Sequence, residues 1–125
     1  MNRLATIAAL AGALLLPACG GSGMGQAVRQ DITARMESVQ SPLSECYRVA
    51  LEEKRRLAGT MWLRFDVEPE TGKFTNVQVA RSQVRHEGLE SCVVDEVSKL
   101  ALETPQKTVV SVDYPIDFAP DQAAP

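Results

Sequence analysis

"GTMWLRFDVEPETGKFTNVQVARS", residues 59–82, decides the fold. From Gly59 the apolar residues recur at every second position, with Met61, Leu63, Phe65 and Val67 on one side and Thr60, Trp62, Arg64 and Asp66 on the other. A period of two is that of a strand with one buried face. Pro69 and Gly72 in "EPETGKF" supply turn residues, and Val77 and Val79 resume the alternation, so the segment predicts a β-hairpin.

On the C-terminal side, "EGLESCVVDEVSKLAL" changes to helical spacing and puts Leu89, Cys92, Val93, Val97 and Leu100 on one stripe. After Pro105, Val110, Val112, Tyr114, Ile116 and Phe118 alternate with Val109, Ser111, Asp113, Pro115 and Asp117. Proline lacks the donor that a central strand needs. This strand therefore belongs on a sheet edge, or Pro115 turns its nitrogen outward.

On the N-terminal side, Val28, Ile32, Met36 and Val39 share one helix face. Ser41-Pro42 reads as an N-cap with proline at the first helical position, starting a new helix or kinking the old one. In "SPLSECYRVALEEKRRL" the residues Leu43, Cys46, Tyr47 and Ala50 share a face, and Glu52, Glu53, Lys54, Arg55 and Arg56 form a solvated end whose bases suit a helix C-terminus.

The expected fold is α+β: two helices packed on a small three-stranded antiparallel sheet, in the order helix, strand, strand, helix, strand. Trp62 falls on the face away from the helices and is exposed there unless a helix, the tail or a partner covers it.

The first 18 residues carry an export signal: a basic start at Arg3, an uncharged run from Leu4 to Leu16, and small residues before Cys19. The run is shorter than the roughly 20 residues that span a bilayer. Leu16-Pro17-Ala18-Cys19 resembles the bacterial lipobox, which implies acylation of Cys19 after removal of 1–18. Residues 19–27, with "GGSGMGQ", then form a flexible tether, residues 28–118 the domain, and residues 119–125 a disordered tail. Lipidation of Cys19 leaves Cys46 and Cys92 as an even pair in an oxidising compartment, both on apolar helix faces, and so a disulfide.

The remaining chemistry is sparse. The chain holds 13 bases and 16 acids, a net charge of −3, and loses one base, Arg3, with the signal. A mildly acidic domain of this kind is not built for nucleic acid. His86, the one histidine, has no nucleophile motif beside it and reads as a solvated or capping residue in a loop. Asp66, Glu68 and Glu70 alternate with Val67 and Pro69 and read as a solvent face rather than a cation site. "GGSGMG" lacks the strand before it and the Lys-Ser/Thr after it that a phosphate loop requires. The cysteines are too far apart for a C-x-x-C redox pair. The expectation is no catalysis, metal, cofactor or small-molecule substrate.

The order of elements and several short motifs resemble the C-terminal domain of TonB, and more closely the AgmX/PglI C-terminal domain family of gliding-motility proteins. The residues that carry this are Cys46-Tyr47, "LAGTMWLRFDVEPETGKF", "VARS", Leu89 with Cys92-Val93, and "VDYPIDF", within residues 28–118. Where that family has W-x-F-P after its second helix, this chain has "KLALETP", with Leu100 and Leu102 in place of aromatics. The resemblance implies recognition of an envelope protein or extended peptide by strand addition at the last strand, through Val110, Val112, Tyr114, Pro115, Ile116 and Phe118. With the lipobox-like Leu16 to Cys19 as anchor, the expected setting is the periplasmic face, and Gly20, in place of an inner-membrane retention aspartate, points to the outer membrane. The alternative expectation is a structural lipoprotein that braces an assembly through its helix faces.

Overall fold

The structure, a computed structural model, describes residues 24–120. The expected signal, Cys19 and most of the expected tether therefore lie outside the described residues, as do residues 121–125 of the expected tail. Along the chain run α1 (Gln26–Ser38), α2 (Gln40–Glu53), β1 (Gly59–Val67), β2 (Phe74–Ser82), α3 (Glu87–Val97) and β3 (Val110–Phe118). The molecule is α+β with an antiparallel sheet ordered β2-β1-β3.

There are three helices among the described residues, not two. The stripe from Val28 to Val39 and the one from Leu43 to Ala50 belong to separate helices, broken at Val39, whose backbone leaves the helical region at φ −106° and ψ 13°. Helix α2 begins two residues before Pro42, which becomes its third residue instead of its first. Proline costs little there, because the first-turn N–H groups have no partner within the helix. Other boundaries also move. Helix α1 starts at Gln26, inside the expected tether. Lys54, Arg55 and Arg56 lie beyond the end of α2 rather than in its last turn. Leu100 follows the end of α3 and bridges to the hairpin instead, accepting from Phe74 N–H at 3.0 Å.

The core sits between the sheet and the helices. Met61, Leu63 and Phe65 are fully buried, with Val67 close behind, and they meet Tyr47, Leu89, Val93 and Val97. Each such side chain contributes about 1.5–3 kcal/mol through burial. Tyr47 donates its hydroxyl to the Leu57 carbonyl and packs on Phe118 with ring centroids 5.0 Å apart.

Strand β2 is irregular. Its pairing with β1 shifts at two places, once beside Ala80 and once across Asn76-Val77. Asn76 adopts the left-handed conformation at φ 52°, which asparagine tolerates better than most residues. Each shift inserts one residue and reverses the side-chain alternation. The shift at Asn76-Val77 brings Phe74 onto the same face as Val77, where its ring stacks on Phe65 at 4.6 Å. The shift beside Ala80 turns Arg81 to the open face, where its guanidinium lies 3.8 Å from the centre of the Trp62 ring. Trp62 is thus half-buried, covered by a neighbouring strand instead of a helix or the tail.

Helix α1 is fastened to the connection after α3. Asp31 accepts from the N–H groups of Glu103 and Thr104 at 3.3 and 2.9 Å, and Arg35 pairs with Glu103 at 3.2 Å.

Candidate functional site

Strand β3 occupies one edge of the sheet, and its pairing with β1 runs without a break from Gly59↔Phe118 to Val67↔Val110. Which of its backbone groups face outward follows from Thr60. The Thr60 N–H donates to Gln83 Oε1 at 3.0 Å and its carbonyl accepts from Gln83 N–H at 2.9 Å, so both groups point to the β2 side. In an antiparallel ladder the direction alternates residue by residue. Gly59, Met61, Leu63, Phe65 and Val67 therefore face β3 and exchange hydrogen bonds with Phe118, Ile116, Tyr114, Val112 and Val110.

The outward groups are those of Ser111, Asp113, Pro115 and Asp117. Pro115 stands opposite Trp62 in a pair that exchanges no ladder bond, so its missing donor costs the sheet nothing. Among the described residues, no loop or turn hydrogen bond reaches the outward groups of 111–117.

Beside this edge lies a groove of about 500 Å³ between β3 and the α1–α2 junction, lined by Met36, Gln40, Leu43, Tyr114 and Ile116 among others. Of the six residues expected to bind a partner, Tyr114, Pro115, Ile116 and Phe118 line this groove. Val112 and Phe118 are buried against the helices and Val110 is half-buried, while Pro115 turns its backbone to the open edge. Burial, with the Glu37 carboxylate as a lesser cause, pushes the Tyr114 hydroxyl above the usual phenol value and keeps it neutral.

On the sheet's open face, Arg64 Nε donates to Asp113 Oδ1 at 2.8 Å and Thr60 Oγ1 to Asp117 Oδ1 at 2.5 Å. The hydrogen bond from Arg64 holds the Asp113 carboxyl below the usual carboxylate value. Asp66 is lowered likewise, first by Asn76 Nδ2 at 3.0 Å and then by Ser111 Oγ at 2.8 Å. Glu68 accepts from Thr71 Oγ1 at 3.1 Å. Asp66 and Glu68 are thus tied into strand and turn contacts, and among the described residues no three His, Cys, Asp or Glu side chains converge as a metal site.

The helix layer is linked through Cys46 and Cys92, whose sulfurs are at bonding distance, 1.97 Å, with Cα atoms 5.8 Å apart. His86 is the N-cap of α3: its Nδ1 accepts from Leu89 N–H at 3.0 Å and its Nε2 lies 2.9 Å from Glu53 Oε2. With Nδ1 accepting, Nε2 is the nitrogen placed to donate to Glu53. His86 ties α2 to α3 a second time, with its side chain 9% exposed rather than solvated.

Sequence reasoning missed Ser111, Asp113 and Asp117 as the outward backbone positions, although Pro115 carried the signal: residues two apart share a direction with it. Met36 and Leu43 were read as core, and nothing in their spacing shows that they also border a groove. Among the described residues no helix is long and apolar enough to cross a membrane. No family, no curated protein and no solved structure matches the chain.

Proposed function

We propose that this chain is a lipid-anchored module of the cell envelope that takes an extended segment of a protein partner as a fourth strand beside β3. The observation that carries the reading is the edge itself: outward N–H and C=O groups at Ser111, Asp113 and Asp117, next to a groove lined by both apolar and polar side chains. Main-chain hydrogen bonds to such an edge provide affinity, and alternate side chains of the added strand enter the groove and provide selectivity. Pro115 and the aspartates limit unwanted pairing of edges.

The lipobox-like Leu16 to Cys19 supports an anchor, Gly20 supports the outer membrane, and the resemblance to the TonB and AgmX/PglI domains supports strand addition in an envelope or motility assembly. The reading involves no catalytic step and no cofactor.

The test is cross-linking of the intact lipoprotein in its own cells, with and without Ser111→Pro and Asp113→Pro. These positions donate outward, so proline there removes edge donors while leaving the bonds to β1. Prolines at Val110 or Val112 would break the sheet. Expected is loss of the captured partner from a double variant with unchanged circular dichroism; capture at the wild-type level refutes the edge.

A further inference from the structure

Helices α2 and α3 lie side by side across the Cys46–Cys92 link, but their outer surfaces do not close over it. Between them runs a groove of about 400 Å³ whose floor is Pro42, Val49, Ala50, Leu89 and the disulfide. The outward side of a helix layer is ordinarily polar. Here Val49 is 48% exposed, one of two large hydrophobic residues so open among the described residues.

The rim is acidic: Glu45 and Glu53 have side chains 62% and 70% exposed, and Glu96 closes one side. Their partners neutralise them incompletely. Arg48 is divided between Glu45 and Glu52, at 2.6 and 2.9 Å, so that trio keeps a negative charge. Glu53 meets the His86 ring at 2.9 Å and is paired with no Lys or Arg among the described residues. Glu96 alone has a full counter-charge, Lys99 at 3.1 Å.

We propose that this groove docks an amphipathic helix of a protein partner, with its apolar stripe on Val49 and the disulfide and with Lys or Arg flanking the stripe. A cleft between two helices receives a third through side chains spaced three and four residues apart, which is the helix-in-groove mode of recognition. The carboxylates of Glu45 and Glu53 select basic flanks over acidic ones. This face is separate from the β3 edge, and the proposal stands or falls independently of strand addition.

The probe is a helical peptide of Leu and Lys, about 18 residues long, or five turns, with Leu at i, i+3, i+4 and i+7. It is titrated into the isotope-labelled full chain and followed by amide chemical shifts. One control peptide has Glu for every Lys, and another has the same composition in scrambled order. Expected are shifts gathered at Val49, Ala50 and Leu89, and binding about tenfold weaker for both controls and for Val49→Lys. The pair Glu45→Gln and Glu53→Gln, which keeps the side-chain shape, should weaken the basic peptide and leave the fold intact. Equal binding of the scrambled peptide, an unaffected Val49→Lys variant, or shifts centred on β3 would each overturn the proposal. The Ser111→Pro and Asp113→Pro variant should titrate as the wild type does.

Discussion

Opening the Cys46–Cys92 bridge should remove a large share of the domain's stability. The bridge joins residues 46 positions apart, and the chain-entropy relation gives about 4 kcal/mol for closing a loop of that length. A domain of this size has a total stability of roughly 5–15 kcal/mol. The loss corresponds to a fall in melting temperature of roughly 15–30 °C. The assay is urea unfolding of the oxidised and reduced forms of one chain, with Cys19 replaced by Ser throughout so that only the pair responds. Reduction keeps both sulfurs in place and isolates the cross-link. Cys46→Ala with Cys92→Ala adds lost contacts, because Cys46 is buried. The unfolded chain also expands once the link is gone, so the urea dependence should steepen as the midpoint falls. A loss below about 1 kcal/mol, or an unchanged slope, refutes the assignment of the stabilisation to the constrained unfolded chain.

Three further outcomes follow from local geometry. His86→Ala should cost roughly 0.5–2 kcal/mol through loss of the α3 cap, whereas His86→Asn, which can accept the same Leu89 N–H, should recover most of it in thermal unfolding. Asn76→Gly should stay folded with Phe74 inside, but Asn76→Val, which resists the left-handed backbone, should cost roughly 1–2 kcal/mol, read by urea midpoints and by near-ultraviolet dichroism of the Phe65–Phe74 stack. The lowered pKa of Asp66 implies a pH effect: its stabilisation is present above the ordinary carboxylate value and is lost as pH falls through the lowered value in the folded protein. Asp66→Asn should therefore flatten the acid limb of the stability curve, and an unchanged limb would count against the Asn76 and Ser111 contacts.

Strand β1 and its buried face could be read directly from the sequence because Met61, Leu63, Phe65 and Val67 keep a strict period of two and all lie on the helix side. The edge position of β3 could be read from Pro115, since a missing N–H is a local fact with a global consequence. The cysteine pairing followed from parity and from two apolar helix stripes that meet on one sheet. Ser41-Pro42 signalled a new helix or a kink, but the place of the break could not be read, because Val39 continues the apolar spacing of α1 while its backbone leaves the helix. The same holds for β2, where the sequence shows valines alternating but not that left-handed Asn76 and the extra residue near Ala80 each reverse the faces. The grooves were hidden for a related reason. Periodicity tells which side of a helix is apolar, not where two neighbouring helices, or a helix and a strand, fail to close.

Strand β3 follows every other element in the chain, yet it supplies half of the hydrogen-bonding of the central strand. A nascent polypeptide therefore has its hairpin, its helices and both halves of the cross-link available while one side of β1 stands vacant for nine residues still to come. A neighbouring copy can fill that vacancy with its own β3, making a swapped pair that contains only contacts the monomer already has. What keeps the strand at home is its leash: residues 98–109 are pinned by Leu102 to Gly72, by Glu103 and Thr104 to Asp31, and by Gln106 to Glu70. Weakening those few hydrogen bonds is expected to favour closure on a neighbour over closure within one chain.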